Sequence, residues 1–192
     1  MDPRGRAVTV IFFSTAFCQS KKSISVPSLM QGSLQNIYSS YLESPVGMIE
    51  ITANEESIFS ISFLDSDPRN TSTKENDVIS KCKQQLKEYF SGVRNEFNIS
   101  LHLSGTEFQN RVWEMLQTVP LGRTISYLEL AKKLGDPKCI RAAGTANGKN
   151  PIAVIVPCHR IIGSNNELVG YAGGLWRKRW LLEHESAQQS LF

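Results

Sequence analysis

Most of what would place this chain of 192 residues in a specialised class is missing from it. No run approaches the roughly 18 consecutive apolar residues that a membrane-spanning helix needs, so no membrane partner is expected. Glycine and proline are ordinary at 13 and 8 residues, without a low-complexity tract, which removes collagen-like and linker-like classes. Cysteine is sparse and scattered. Cys18, Cys82, Cys139 and Cys158 lie 64, 57 and 19 residues apart, with no CxxC pair and no Cys/His cluster at zinc-finger spacing, so neither a metal nor a cofactor is expected. The net charge of +3 is too small to argue for a nucleic-acid partner by itself.

What is present is enough apolar sequence, 41 %, to build a real core. Charge is unevenly spread. Residues 104–192 carry 11 Lys+Arg against 7 Asp+Glu, a balance of +4, whereas residues 1–103 carry 10 against 11, a balance of −1. A basic carboxyl half suits a solvated surface and an anionic partner equally well.

Residues 1–35 differ from the rest. Arg4 and Arg6 precede the apolar stretch Ala7 to Phe13, the outline of a targeting signal, but the stretch is short and no small-x-small cleavage site follows. The alternative is a poorly ordered extension, with Met30 as another start. From residue 38 to 65 the pattern is strand-like: Ser44-Pro45-Val46-Gly47 makes a turn, residues 48–51 and 58–63 alternate, and an antiparallel meander results. Residues 78–90 place Val78, Ile79, Cys82, Leu86, Tyr89 and Phe90 at helical spacing, with Gly92 as a stop. Phe97, Ile99, Leu101 and Leu103 restore the alternation of a strand. Nothing in this half is arranged for chemistry.

After Ser104-Gly105 the character changes. Thr106 with Gln109 and Ser126 with Glu129 are capping-box spacings, opening one helix that ends before Pro120 and a short one stopped by Gly135. Asp136-Pro137 supplies the cap and first turn of a further helix reaching about Asn147. Two short helices joined by a Gly-containing turn, the second carrying Lys138, Arg141 and Lys149, suggest a helix-turn-helix. Ala142, Ala143, Gly144, Thr145, Ala146 and Gly148 give that helix a small-residue surface, which fits close approach to a groove and tight helix packing alike.

The apolar run 151–156 reads as a buried strand that delivers Pro157-Cys158-His159-Arg160. A cysteine nucleophile works as the thiolate, scarce at neutral pH for a thiol with a pKa near 8.5. Neighbouring side chains on an extended segment point apart, so His159 reaches Cys158 only through a turn or a bridging water. A buried, inert cysteine beside a structural histidine is the competing reading of the pair alone.

The surrounding motifs decide between them. Arg141-Ala142-Ala143-Gly144-Thr145-Ala146-Asn147, Asn150-Pro151 and Pro157-Cys158-His159-Arg160-Ile161-Ile162 together resemble the active-site signature of the 6-O-alkylguanine-DNA alkyltransferases. The resemblance extends to Phe108-Gln109-Asn110-Arg111-Val112-Trp113, to the stretch from Pro120 to Tyr127, and to Gly170-Tyr171-Ala172-Gly173-Gly174 followed by Lys178 to Glu185. Ser44 to Met48 and Leu86 to Gly92 look like that family's sheet domain, so the match spans about residues 37 to 185.

The resemblance implies DNA repair by direct damage reversal, an irreversible, single-turnover transfer of the alkyl group of 6-O-alkylguanine to the protein's own cysteine after base flipping. Cys158 matches the acceptor, His159 the histidine that draws the thiol proton through a water, and Glu185 the carboxylate that orients it. Asn150 resembles the asparagine that joins the recognition helix to the active-site loop. Tyr127 matches a tyrosine that lines the pocket and hydrogen-bonds the flipped base. Arg141 matches the residue that fills the vacated stack, with Ala142, Ala143 and Gly144 against the minor groove and Arg123, Lys138 and Lys149 as phosphate contacts. Tyr171, Ala172, Gly173 and Ile161 would form the substrate pocket, where a serine is common at the Ala172 position.

The fold expected is α+β. Residues 1–35 form an extension, 36–103 an amino-terminal sheet-plus-helix α/β domain, 104–187 a mostly helical, winged-helix-like helix-turn-helix domain carrying the active cysteine, and 188–192 a tail. The partner implied is double-stranded DNA containing alkylated guanine, met by a monomer in the cytoplasm, at the nucleoid, or in a nucleus. A non-catalytic damage sensor of the same fold is the alternative, but such relatives lack the acceptor cysteine. A cysteine hydrolase would leave Arg141, the small-residue helix and Tyr127 without a purpose.

Overall fold

The computed structural model describes residues 36–66, 68 and 73–189. The expectations for residues 1–35 and for the end of the tail, 190–192, lie outside the described residues.

The meander forms as the alternation predicts. Strands β1 (Tyr38–Ser44), β2 (Gly47–Ala53) and β3 (Ile58–Leu64) pair antiparallel in the order β1-β2-β3. Pro45 and Val46 make the first hairpin, and Gly47 at φ +96° takes the left-handed conformation the turn requires. Leu42, Ile49, Ile51 and Ala53 point inward, where helix α1 (Asp77–Phe90) lays Ile79, Cys82, Leu86 and Tyr89 in the same core. Each such aliphatic side chain removed from water contributes about 1.5–3 kcal/mol before the entropy of ordering is subtracted. Asn76 caps α1 by accepting from Ile79 N at 3.0 Å, and its own amide donates to Asn54 O at 2.7 Å, so the cap also fixes the β2–β3 connection.

The outer sides of this small sheet are occupied by other parts of the chain. Ser39 exchanges two backbone bonds with Lys74 beside β1. Beside β3, Ile58 N–H donates to Ser100 O at 3.0 Å and its carbonyl accepts from His102 N at 2.8 Å. Further along, Ile61 N–H donates to Pro151 O at 2.9 Å and its carbonyl accepts from Ala153 N at 3.0 Å. These contacts correct two expectations. Residues 97–103 and 151–156 are not strands; each meets β3 through a single bridge, Ile58 with Leu101 and Ile61 with Ile152. Apolar burial, which both segments have, does not distinguish a strand from a buried turn. Val154 adopts φ +69°, a conformation unfavourable for a β-branched residue, and thereby turns the chain from the sheet toward Cys158.

The carboxyl part is helical. Helix α2 (Glu107–Gln117) and helix α3 (Tyr127–Lys133) both open with complete capping boxes at Thr106/Gln109 and Ser126/Glu129. A 3-10 turn at Pro137–Cys139, capped by Asp136, precedes helix α4 (Ile140–Gly148), so the expected continuous helix from residue 137 is two pieces. Helix α5 (Leu175–Gln189) closes the fold and extends into the expected tail. Between α2 and α3 the short strand β4 (Ile125–Ser126) pairs parallel with β5 (Ile161–Ile162), which places the start of α3 beside the segment that follows the cysteine. Trp113 of α2 donates its indole N–H to Ala146 O of α4 at 2.9 Å, locking the two helices together.

Candidate active site

Cys158 opens a 3-10 turn, Cys158–Arg160, and this turn, rather than a strand end, swings His159 and Arg160 behind the thiol. Asn150 organises the approach. Its Nδ2 donates to Val156 O at 2.8 Å, Ile152 O at 3.2 Å and the Cys158 sulfur at 3.1 Å, while its Oδ1 accepts from Ile152 N at 3.0 Å. Asn147, in the last turn of α4, donates to Cys158 O at 3.3 Å. Helix α4 and the cysteine loop are therefore joined by two asparagines, where the sequence singled out only Asn150.

Behind the thiol, Glu185 of α5 is fully buried and collects donors. It accepts from His159 Nε2 at 2.9 Å, from Arg160 Nε and Nη2 at 2.9 Å each, from the Tyr89 hydroxyl at 2.8 Å and from Gly122 N at 3.2 Å. Burial alone would raise its pKa, but the His159 and Arg160 donors outweigh it and hold the carboxyl well below the usual range. Being ionised, Glu185 can only accept, so His159 Nε2 carries the proton and Nδ1 keeps its lone pair. Nδ1 is buried and has no hydrogen bond among the described residues. Burial pushes the His159 pKa down, Glu185 opposes this in part, and the Arg160 and Lys178 charges push it further down, so the imidazole is a neutral base.

Burial also pushes the Cys158 thiol up, and the Asn150 amide and the Lys178 charge offset part of the rise. Tyr171 lies on the same cavity, its hydroxyl buried with no hydrogen bond among the described residues. Lys178 is completely buried, and among the described residues no carboxylate pairs with it. Its Nζ donates to Ile161 O at 2.6 Å and Val169 O at 2.8 Å, and burial lowers its pKa to about 8.

Cys158 lines a cavity of about 230 Å³ together with Asn147, Asn150, Tyr171, Ala172 and Gly173. Tyr127, expected to line the pocket, is not part of this lining; it is half-buried nearby, its hydroxyl donating to Val169 O at 3.4 Å and its ring beside Gly144. Ile161 does not line the cavity as expected. It is fully buried in β5, and it is its carbonyl that matters, as an acceptor for Lys178. On α4, Arg141 and Ala142 are exposed and Gly144 is half-buried, but Ala143 is fully buried in the core and has no surface to offer DNA. Lys138 and Lys149 are exposed at the two ends of α4. Arg123 is exposed elsewhere, on a larger cleft of about 1060 Å³ that also reaches Arg160.

The sequence reading missed Tyr89, Arg160 and Lys178. Lys178 and Glu185 stand seven residues apart, with Leu181 between them, on one buried helical face, and a charged residue on such a face was the available signal. For Tyr89, 96 residues from Glu185, there was none.

Comparison with known proteins finds two family models covering the chain in tandem. Residues 37–103 match the ribonuclease-like domain of 6-O-methylguanine DNA methyltransferase, and residues 107–187 match its DNA binding domain. A methylated-DNA–protein-cysteine methyltransferase of Mycolicibacterium paratuberculosis is 43 % identical over 158 residues, spanning 79 % of this chain and 96 % of that protein. One of Methanosarcina acetivorans is 40 % identical over 155 residues, spanning 79 % and 99 %. The crystal structure of Mycobacterium tuberculosis O6-methylguanine methyltransferase is similar at TM-score 0.72 and 42 % identity, covering 80 % of this chain and 94 % of that one. The Mycobacterium tuberculosis OGT in complex with DNA is similar at TM-score 0.71 and 43 % identity, covering 77 % and 92 %.

Proposed function

This chain belongs to the 6-O-methylguanine DNA methyltransferase family, and from that membership we propose that it repairs DNA by transferring the alkyl group of 6-O-alkylguanine to the sulfur of Cys158. The observation that carries the assignment to Cys158 is its setting: a buried thiol on a cavity, held by Asn150, with a neutral histidine and an ionised glutamate behind it.

The mechanism follows from those contacts. His159 Nδ1 takes the thiol proton through an intervening water, and Glu185 stabilises the imidazolium that forms. The thiolate attacks the alkyl carbon in line with the bond to guanine oxygen; the S–C bond forms as the C–O bond breaks. The guanine anion leaves with a proton supplied at the base, where the Tyr127 hydroxyl is the donor. The thioether has no easy leaving route, so each chain acts once.

A base stacked in a duplex cannot reach a buried sulfur, so the nucleotide is extruded, at a cost of a few kcal/mol. Arg141, exposed on the first turn of α4, fills the gap, while Ala142 and Gly144 allow the helix to lie in the minor groove and Lys138 and Lys149 reach phosphates at its ends. Arg123 contacts DNA only if the duplex extends beyond α4. The protein acts as a monomer on double-stranded DNA, in the compartment that holds it, the cytoplasm with its nucleoid or a nucleus. Among the described residues no helix is long and apolar enough to cross a membrane.

Mixing excess duplex carrying labelled methylguanine with the protein is expected to give a burst that stops at one methyl per chain, on the peptide containing Cys158. Cys158→Ala should abolish transfer while DNA binding persists. Label on Cys139, or sustained turnover without added reagents, would overturn the assignment.

A further inference from the structure

The cavity at Cys158 is larger than a methyl group requires. A methyl occupies about the room of one water, ~30 Å³, against about 230 Å³. The surplus is not enclosed by the helical part alone. Four consecutive residues of β3, Ser60, Ile61, Ser62 and Phe63, complete the lining.

Resting on the reading of Cys158 as alkyl acceptor, we propose that Phe63 is a specificity-determining residue that sets the length of alkyl group the protein accepts, so that the amino-terminal sheet takes part in choosing the substrate. Phe63 is the largest β3 side chain on the cavity, and its surroundings hold it in place. The Arg177 guanidinium lies 5.1 Å from its ring centroid, and the Tyr171 ring is 6.1 Å away, tilted at 53°. Gly173 lets the pocket loop press against it: a Cβ there would stand 2.5 Å from Phe63 Cδ2. Arg177 then ties both sides together. Its Nη1 donates to Gly173 O at 2.8 Å, its Nε to Val46 O at 2.8 Å and its Nη2 to Leu64 O at 3.3 Å, so loop and sheet keep a fixed spacing. Ile61 is likewise pinned through its backbone to the cysteine loop. An alkyl chain growing from the Cys158 sulfur through a cavity so bounded meets a wall that cannot retreat, and the bulk of residue 63 determines how many carbons fit.

The test compares transfer rates from duplexes bearing methylguanine and n-butylguanine, measured on one preparation of each variant and normalised to the burst amplitude, so that misfolded protein drops out. Removing the ring in Phe63→Ala should raise the butyl-to-methyl rate ratio by about tenfold, the scale on which a pocket discriminates small apolar differences. Enlarging it in Phe63→Trp should lower the ratio. A ratio within twofold of the parent in both variants, with alkyl mass still on the Cys158 peptide, would overturn the role of Phe63 and leave the acceptor intact. Alkyl mass missing from that peptide in the parent protein would overturn the acceptor itself.

Discussion

Glu185 is shared between a neutral imidazole and a guanidinium cation, and the sharing sets the proton affinity of the base. His159 donates one hydrogen bond to it, while Arg160 donates two in a fork and anchors its remaining nitrogen on Val119 O. A carboxylate so neutralised raises its histidine less than a lone one would. Arg160→Met should therefore raise the His159 pKa, moving the acid limb of the transfer rate to higher pH when free benzylguanine is the substrate; an unmoved limb would mean Arg160 only supports the fold. Because the change strands a buried carboxylate, it should also cost about 3–5 kcal/mol in urea unfolding. Arg160→Lys, which keeps the charge but loses the fork, should fall between. At this scale Cys158, His159 and Glu185 were legible because a motif carries them. Tyr89 and Phe63 were not, since their roles exist only once the sheet half has docked, and no local pattern marks a residue for a contact that distant.

Among the elements, α4 serves the core and the surface at once. Ala143 and Ala146 are packed inside, and Trp113 bonds its backbone, while Arg141, Ala142 and Thr145 are left outside. The packing reading of its small residues therefore holds for Ala143 and Ala146, while Ala142 and Thr145 remain on the surface. Arg141→Ala should slow repair in duplex far more than reaction with free benzylguanine, since the side chain stands clear of the cavity lining; equal losses on both substrates would place Arg141 in chemistry or folding. The helices of the carboxyl part were legible through their caps, Thr106, Ser126 and Asp136, whereas Asn76, the cap of α1, sits in a polar stretch that reads as a loop. Residues 151–156 do not form the expected strand because the Asn150 side chain and the Ile61 backbone hold them in a turn that their apolar pattern does not announce.

At the scale of the whole molecule, the buried charges fix how stability responds to acid. His159 has a folded pKa below its ordinary 6.5, Glu185 is held below its ordinary 4.5, and the surface carboxyl of Glu75, hydrogen-bonded by Lys83, falls from 4.5 to about 2. In each case the unfolded chain binds the proton first, so stability is lost as pH falls, beginning just below 6.5 with His159 and continuing below 4.5 with the carboxylates. The urea midpoint should fall steadily from pH 7 to pH 3; a constant midpoint would contradict the neutral-histidine arrangement. Sheet and helices should also unfold together, because Tyr89 reaches Glu185, Arg177 grips Val46 and Leu64, and Ile61 holds the cysteine loop. Tryptophan fluorescence, reporting on Trp113, Trp176 and Trp180, and far-UV circular dichroism should trace one transition.

The bonds from Ile61 to Pro151 and Ala153 have a second consequence. An uncovered strand at the rim of a sheet is a template for pairing with another chain, and proteins that stay dispersed keep such rims masked. On β3 the mask over Ile61 is the loop that leads to Cys158, while residues 100–102 cover Ile58. A displacement of this loop from the sheet would bare the Ile61 N–H and C=O and leave that stretch of β3 open to pairing with another chain, so the seating of the loop also guards the sheet's rim.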